Sequence, residues 1–163
     1  MKKLIYTALL TLVVVGMASC SDKGKCDRKA DKQGDKIEVY SGVLPGADVS
    51  GILYTLDMEF DDDKNYTDGD YKLTQVYMTA DSTGMKDGKV FTSEGDFKEI
   101  NGTGANATAK YLKLTPDRDS QGETLYFKVT SDSTLMLVNA QLEEPTDTAL
   151  NYTLRLKSSQ IER

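Results

Sequence analysis

The sequence predicts an all-β domain, a small antiparallel up-and-down β-barrel of about eight strands. Three observations predict it. Apolar residues return at every second position in several segments, the period of a half-buried strand. Turn-rich stretches separate these segments at barrel-like intervals. No segment carries a strong helical apolar period. A β-sandwich is the competing architecture.

The chain opens with a segment that does not belong to that fold. Residues 1–19 read as a cleaved secretory signal: Lys2 and Lys3 are basic, and Leu4 to Val15 is almost wholly apolar. That run is shorter than the ~20 residues needed to span a bilayer. Met17-Ala18-Ser19-Cys20 follows as a lipobox-like site. It predicts a diacylglycerol on Cys20 Sγ and an acylated amine, with palmitate-type chains, and two or more chains anchor stably. Ser21 behind it points to the outer membrane. Residues 20–36 then form the lipidated cysteine and a flexible tether. Residues 21–36 hold six Lys and Arg against four Asp and no large apolar side chain, which cannot offset the entropy of ordering. Cys26 lies there as a lone free thiol, expected to be merely tolerated.

Residues 37–163 are expected to form the barrel. Its strands are predicted at Ile37–Leu44, Gly51–Phe60, Gly69–Thr79, Lys89–Ile100, Ala107–Thr115, Glu123–Thr130, Thr134–Leu142 and Leu150–Lys157. The pattern is clearest around Tyr40–Phe60. Pro45 cannot donate to a ladder and so ends the first strand. Gly46, Asp48 and Gly51 supply the turn. Ile52, Tyr54, Leu56, Met58 and Phe60 then fall on one face, against Thr55, Asp57, Glu59 and Asp61 on the other. Leu125-Phe127-Val129 and Tyr152-Leu154-Leu156 repeat the alternation.

Tyr40-x-Gly42-x-Leu44-Pro45-x-Ala47-Asp48-x-x-Gly51-Ile52 resembles the opening of the NlpE-type lipoproteins. Phe91–Ile100, Tyr126–Val129 and Asn151–Leu154 follow the same family rhythm, so the resemblance covers roughly residues 37 to 158. It implies a lipocalin-like barrel and a role in copper resistance or envelope-stress signalling, with an envelope signalling protein as partner. The characteristic turn is Leu44, Pro45, Ala47, Asp48 and Gly51. Family members proposed to bind metal carry cysteines where this chain has Gly46 and Val49. Two converging thiolates suit a soft metal. Glycine and valine offer no ligand atom, so no metal or cofactor is expected there.

Composition narrows the rest. From Ile37 onward, twelve Lys and Arg face twenty-two Asp and Glu, a net charge of −10. That argues against nucleic acid and against adsorption of the domain on membranes, leaving the lipid anchor as the membrane contact. The chain has no histidine, the commonest general base and metal ligand, and no nucleophile motif. Binding is therefore expected, not catalysis. Asp61, Asp63 and Asn65 stand at the spacing of the first calcium ligands of an EF-hand loop. Tyr66 and Lys72 occupy its glycine and glutamate positions, so the segment reads as a polar hairpin loop. Met58 is expected in the core. Tyr54, Tyr71, Tyr77, Tyr111, Tyr126 and Tyr152 all lie in predicted strands, and some of them suit a barrel mouth with ring buried and hydroxyl wet. They keep a carrier of a small hydrophobic ligand as the alternative function, although a barrel this small is expected to be filled by its own side chains. Asp81-Ser82-Thr83, Asp132-Ser133-Thr134 and Asp147-Thr148-Ala149 resemble a bacterial O-glycosylation sequon and equally suit ordinary turns.

Overall fold

A computed structural model of the chain describes residues 36–61, 66–81 and 84–161. The predicted signal segment, Cys20, Cys26 and nearly all of the tether lie outside these residues.

Eight strands follow one another: β1 (Lys36–Leu44), β2 (Gly51–Phe60), β3 (Asp68–Asp81), β4 (Gly84–Asn101), β5 (Lys110–Pro116), β6 (Leu125–Ser131), β7 (Thr134–Val138) and β8 (Thr153–Ile161). Each pairs antiparallel with the next, and β8 returns to β1 to close the barrel. The up-and-down barrel is therefore the observed fold. Closure gives every strand a neighbour on each side.

Alternation decides what lies inside. Leu56, Leu114, Phe127 and Leu154 are wholly buried, with Leu44, Met58, Leu73, Phe97 and Leu135 nearly so. Met58 is core, as its place on the apolar face requires. Burying one such side chain contributes about 1.5–3 kcal/mol. The close fit of β1 to β8 explains one residue of the family motif. A Cβ on Gly42 would stand 2.4 Å from the Thr153 carbonyl oxygen, so a side chain there would hold the seam apart. A bulge between Val39 and Tyr40 takes up the remaining mismatch across this seam.

Several boundaries differ from expectation, each for a local reason. β7 ends at Val138 and not at Leu142. The Asn139 side-chain oxygen accepts hydrogen bonds from the Gln141 and Glu143 amides, both at 2.9 Å, and Leu142 has a positive φ of 64°. The chain turns there, as asparagine side chains often impose. Residues 107–109 precede β5 as part of a turn that follows a 3-10 segment, Gly104–Asn106. β8 starts at Thr153, because the Asn151 side chain accepts the Thr153 amide and hydroxyl, at 3.2 and 2.7 Å. Tyr152 thus lies just before the strand. The β3–β4 hairpin runs longer than predicted, with a register shift between Val76 and Met78.

In a meander, alternate connections share one end. The mouth carries the β1–β2, β3–β4, β5–β6 and β7–β8 connections. The base carries the others, together with the start of β1.

Candidate functional site

The characteristic turn sits at the mouth. Leu44 and Gly51 are buried at its two ends, while Ala47 and Asp48 are exposed at its tip. The Ser50 amide donates to the Met78 carbonyl at 3.0 Å, tying the turn to β3. The Asn151 side-chain amide donates to the Val43 carbonyl at 2.8 Å and holds the β7–β8 connection against β1. Across the turn, a Cβ built on Gly46 would lie 2.4 Å from Val49 Cγ2. The two positions that carry cysteines in metal-proposed relatives therefore face one another. Here Val49 packs on the core and Gly46 leaves room for it. The turn keeps the convergence and lacks the ligand atoms.

Beside it, the barrel interior opens. A cavity of about 380 Å³ lies at the mouth, walled by Tyr54, Gln75, Tyr77 and Phe91 and floored by Leu73 and Ser93. It falls within the range of small-molecule sites, about 300–1,000 Å³. The expectation that side chains fill the whole interior is thus corrected: the core is packed below Leu73, and strand tyrosines line an open upper part. Ser93 is buried with its hydroxyl 3.1 Å from the Tyr71 hydroxyl. The Phe91 ring meets Tyr77 edge to face at 5.2 Å and remains 39% exposed. Gln121, Gly122 and Glu123, from the β5–β6 connection, cover part of the opening. This connection is anchored by the Glu94 amide donating to Ser120 Oγ at 2.8 Å and the Asp117 amide donating to the Glu94 carbonyl at 2.9 Å. Gly122 fits closely, since a Cβ there would stand 2.7 Å from Ser93 Oγ. Burial pushes the Tyr54 hydroxyl pKa up, a hydrogen bond with Gln75 opposes the rise, and the charge of Glu123 adds to it.

The NlpE N-terminal domain family model matches residues 40–147. This chain belongs to that family. No curated protein and no solved structure matches it. The matched span begins at Tyr40, the first residue of the motif, and takes in the NlpE turn and the whole cavity wall.

At the base of this NlpE domain the interior is closed by a charged group in an aromatic setting. Glu38, 7% exposed, accepts the Tyr40 hydroxyl at 2.9 Å and pairs with Lys36 Nζ at 2.7 Å. The same ammonium stands 4.7 Å from the centre of the Phe60 ring and 5.5 Å from that of Tyr66. Phe60 in turn meets Phe97 edge to face at 5.0 Å. Glu38 was legible as inward-facing, since it shares the alternation of Tyr40, Gly42 and Leu44. Its pairing with Lys36 was not, because nothing in the tether composition marks Lys36 as the start of a strand.

The outer face of β1–β4 is sorted into rows by register. Val43, Leu53, Val76 and Val90 form an apolar row at the mouth end, and Ser41, Thr55, Thr74 and Thr92 form a hydroxyl row beneath it. Near the base, Glu59, Asp70 and Asp96 are successive cross-strand neighbours. Burial, then the charges of Asp61 and Asp96, push the Asp70 carboxyl pKa up. Asp61 follows β2, its amide donating to the Asp68 carbonyl at 3.0 Å, whereas Asp63 and Asn65 lie outside the described residues. Among the described residues no group of three or more His, Cys, Asp or Glu side chains is placed to hold a metal ion.

Proposed function

We propose that this chain is an outer-membrane lipoprotein whose NlpE domain works in envelope-stress sensing by binding, and that its turn takes no copper. The match to the NlpE N-terminal domain over residues 40–147 carries the reading. The turn geometry refines it: Gly46 and Val49 converge without a ligand atom between them. Anchoring rests on Cys20 and the apolar run before it. The domain then acts as a ligand- or partner-reading module held at the membrane.

Deleting the gene in its host and following an envelope-stress reporter tests the sensing role. The reporter response to outer-membrane damage is expected to fall, and to return with the wild-type gene but not with Cys20→Ser. An unchanged response in the deletion strain would sink the role. Metabolic labelling with palmitate tests the anchor separately, and label is expected to vanish in Cys20→Ser. For copper, the wild-type turn should take up no Cu(I), whereas the Gly46→Cys, Val49→Cys pair should gain one tightly bound ion. The mouth cavity favours a second reading, a carrier of a small ligand.

A further inference from the structure

We propose that the mouth cavity binds an organic cation, a small molecule carrying an alkylated ammonium group. This rests on the carrier reading and assigns it a ligand class.

The aromatic side chains come first. Tyr54, Tyr77 and Phe91 present three rings to one cavity. An aromatic face attracts a cation held within about 6 Å of its centre, and quaternary ammonium groups are a common cargo of such cages. Phe91 is 39% exposed, a large apolar surface left without a protein partner on its open side. Charge sets the sign. Glu123 is the carboxylate of the cavity wall, and among the described residues no lysine or arginine lines it. An anionic ligand would be repelled by this carboxylate, while a cation gains both the carboxylate and the rings. Size and hydration favour an organic ion. A bare calcium ion needs 6–8 oxygen ligands, and among the described residues this wall offers a single carboxylate, Glu123. Gln75 and Ser93 remain as hydrogen-bonding groups for a polar tail.

The base of the same barrel supplies an internal control. There, Lys36 brings its own ammonium between Phe60, Tyr66 and Glu38. The mouth repeats the rings and the carboxylate, and among the described residues no ammonium lines it.

Isothermal titration of the full-length protein in a neutral maltoside detergent, with choline and its uncharged isostere 3,3-dimethylbutan-1-ol, tests the proposal. Choline is expected to bind about tenfold more tightly, the scale of a desolvated cation–π contact. Glu123→Gln and Phe91→Leu should each weaken choline severalfold without changing the thermal midpoint, since both side chains reach solvent. Lys36→Met should leave choline affinity unchanged. Equal affinity for the two probes would overturn the cation assignment and keep the carrier reading. Binding of neither would overturn both. Choline affinity unmoved by Glu123→Gln and Phe91→Leu would place the ion elsewhere and also overturn the assignment.

Discussion

The two ends of the barrel are built from the same materials and use them differently. At the base, Phe60, Tyr66 and Glu38 surround the Lys36 ammonium, and the carboxylate is 7% exposed. At the mouth, Tyr54, Tyr77, Phe91 and Glu123 stand around an open space of about 380 Å³. At the base both Glu38 oxygens have partners, the Lys36 ammonium and the Tyr40 hydroxyl. At the mouth Ser93 pairs with Tyr71 and Tyr54 with Gln75, and the space between the rings stays open. The same chemistry therefore stabilises the fold at one end and stays available at the other.

That contrast can be broken by substitution. The largest effect is expected from Phe97→Ala, which empties a 1% exposed ring position beneath Phe60. Denaturant unfolding should register a loss of about 3–5 kcal/mol. Phe91→Ala at the mouth should cost less than about 1 kcal/mol, because an exposed ring leaves no cavity behind. Equal losses would mean that the mouth is packed after all.

Next comes Glu38→Leu, which strands the Lys36 ammonium and the Tyr40 hydroxyl. Leaving such groups without a partner costs about 1–3 kcal/mol. Glu123→Gln at the mouth should stay within about 0.5 kcal/mol of wild type.

Alkaline pH sharpens the comparison. Burial, the Glu38 charge and the hydrogen bond to Glu38 together raise the Tyr40 pKa well above the ordinary phenol value of 10.0. A raised folded-state value means that this contribution is complete below that pH and is lost as pH climbs through the folded value. Unfolding free energy should therefore decline above pH 10.0, the ordinary phenol value, with a shallower slope in Tyr40→Phe. Tyr54→Phe should alter the slope less, since its hydrogen bond with Gln75 opposes the shift.

The smallest effect is expected on the outer face. Burial, and after it the neighbouring carboxylates, raise the Asp70 pKa, so its contribution to stability is present in acid and lost as pH rises. Asp70→Asn should raise the thermal midpoint slightly at neutral pH and leave it unchanged in acid.

Much of this molecule was legible in the sequence, for a physical reason. Period-two burial is local, so Ile52 to Phe60 announced both the strand and its buried face. The closed barrel followed from eight such segments in order. Boundaries were less legible, because side chain-to-backbone bonds at Asn139 and Asn151 end or delay strands that the apolar pattern would continue. The motif turn was legible as a turn, but the facing of Gly46 and Val49 needed the fold. The cavity was the least legible. Tyr54, Tyr77, Phe91 and Glu123 come from β2, β3, β4 and the β5–β6 connection, and only barrel closure brings them together.

The most direct test is residue-resolved amide chemical-shift mapping of the full-length protein during choline titration. Movement at Tyr77, Phe91, Gly122 and Glu123, with Lys36, Glu38 and Phe60 still, is the predicted result. Movement confined to the outer carboxylates around Asp70, or shared equally by the base, would contradict the assignment of the mouth as the open counterpart of the base.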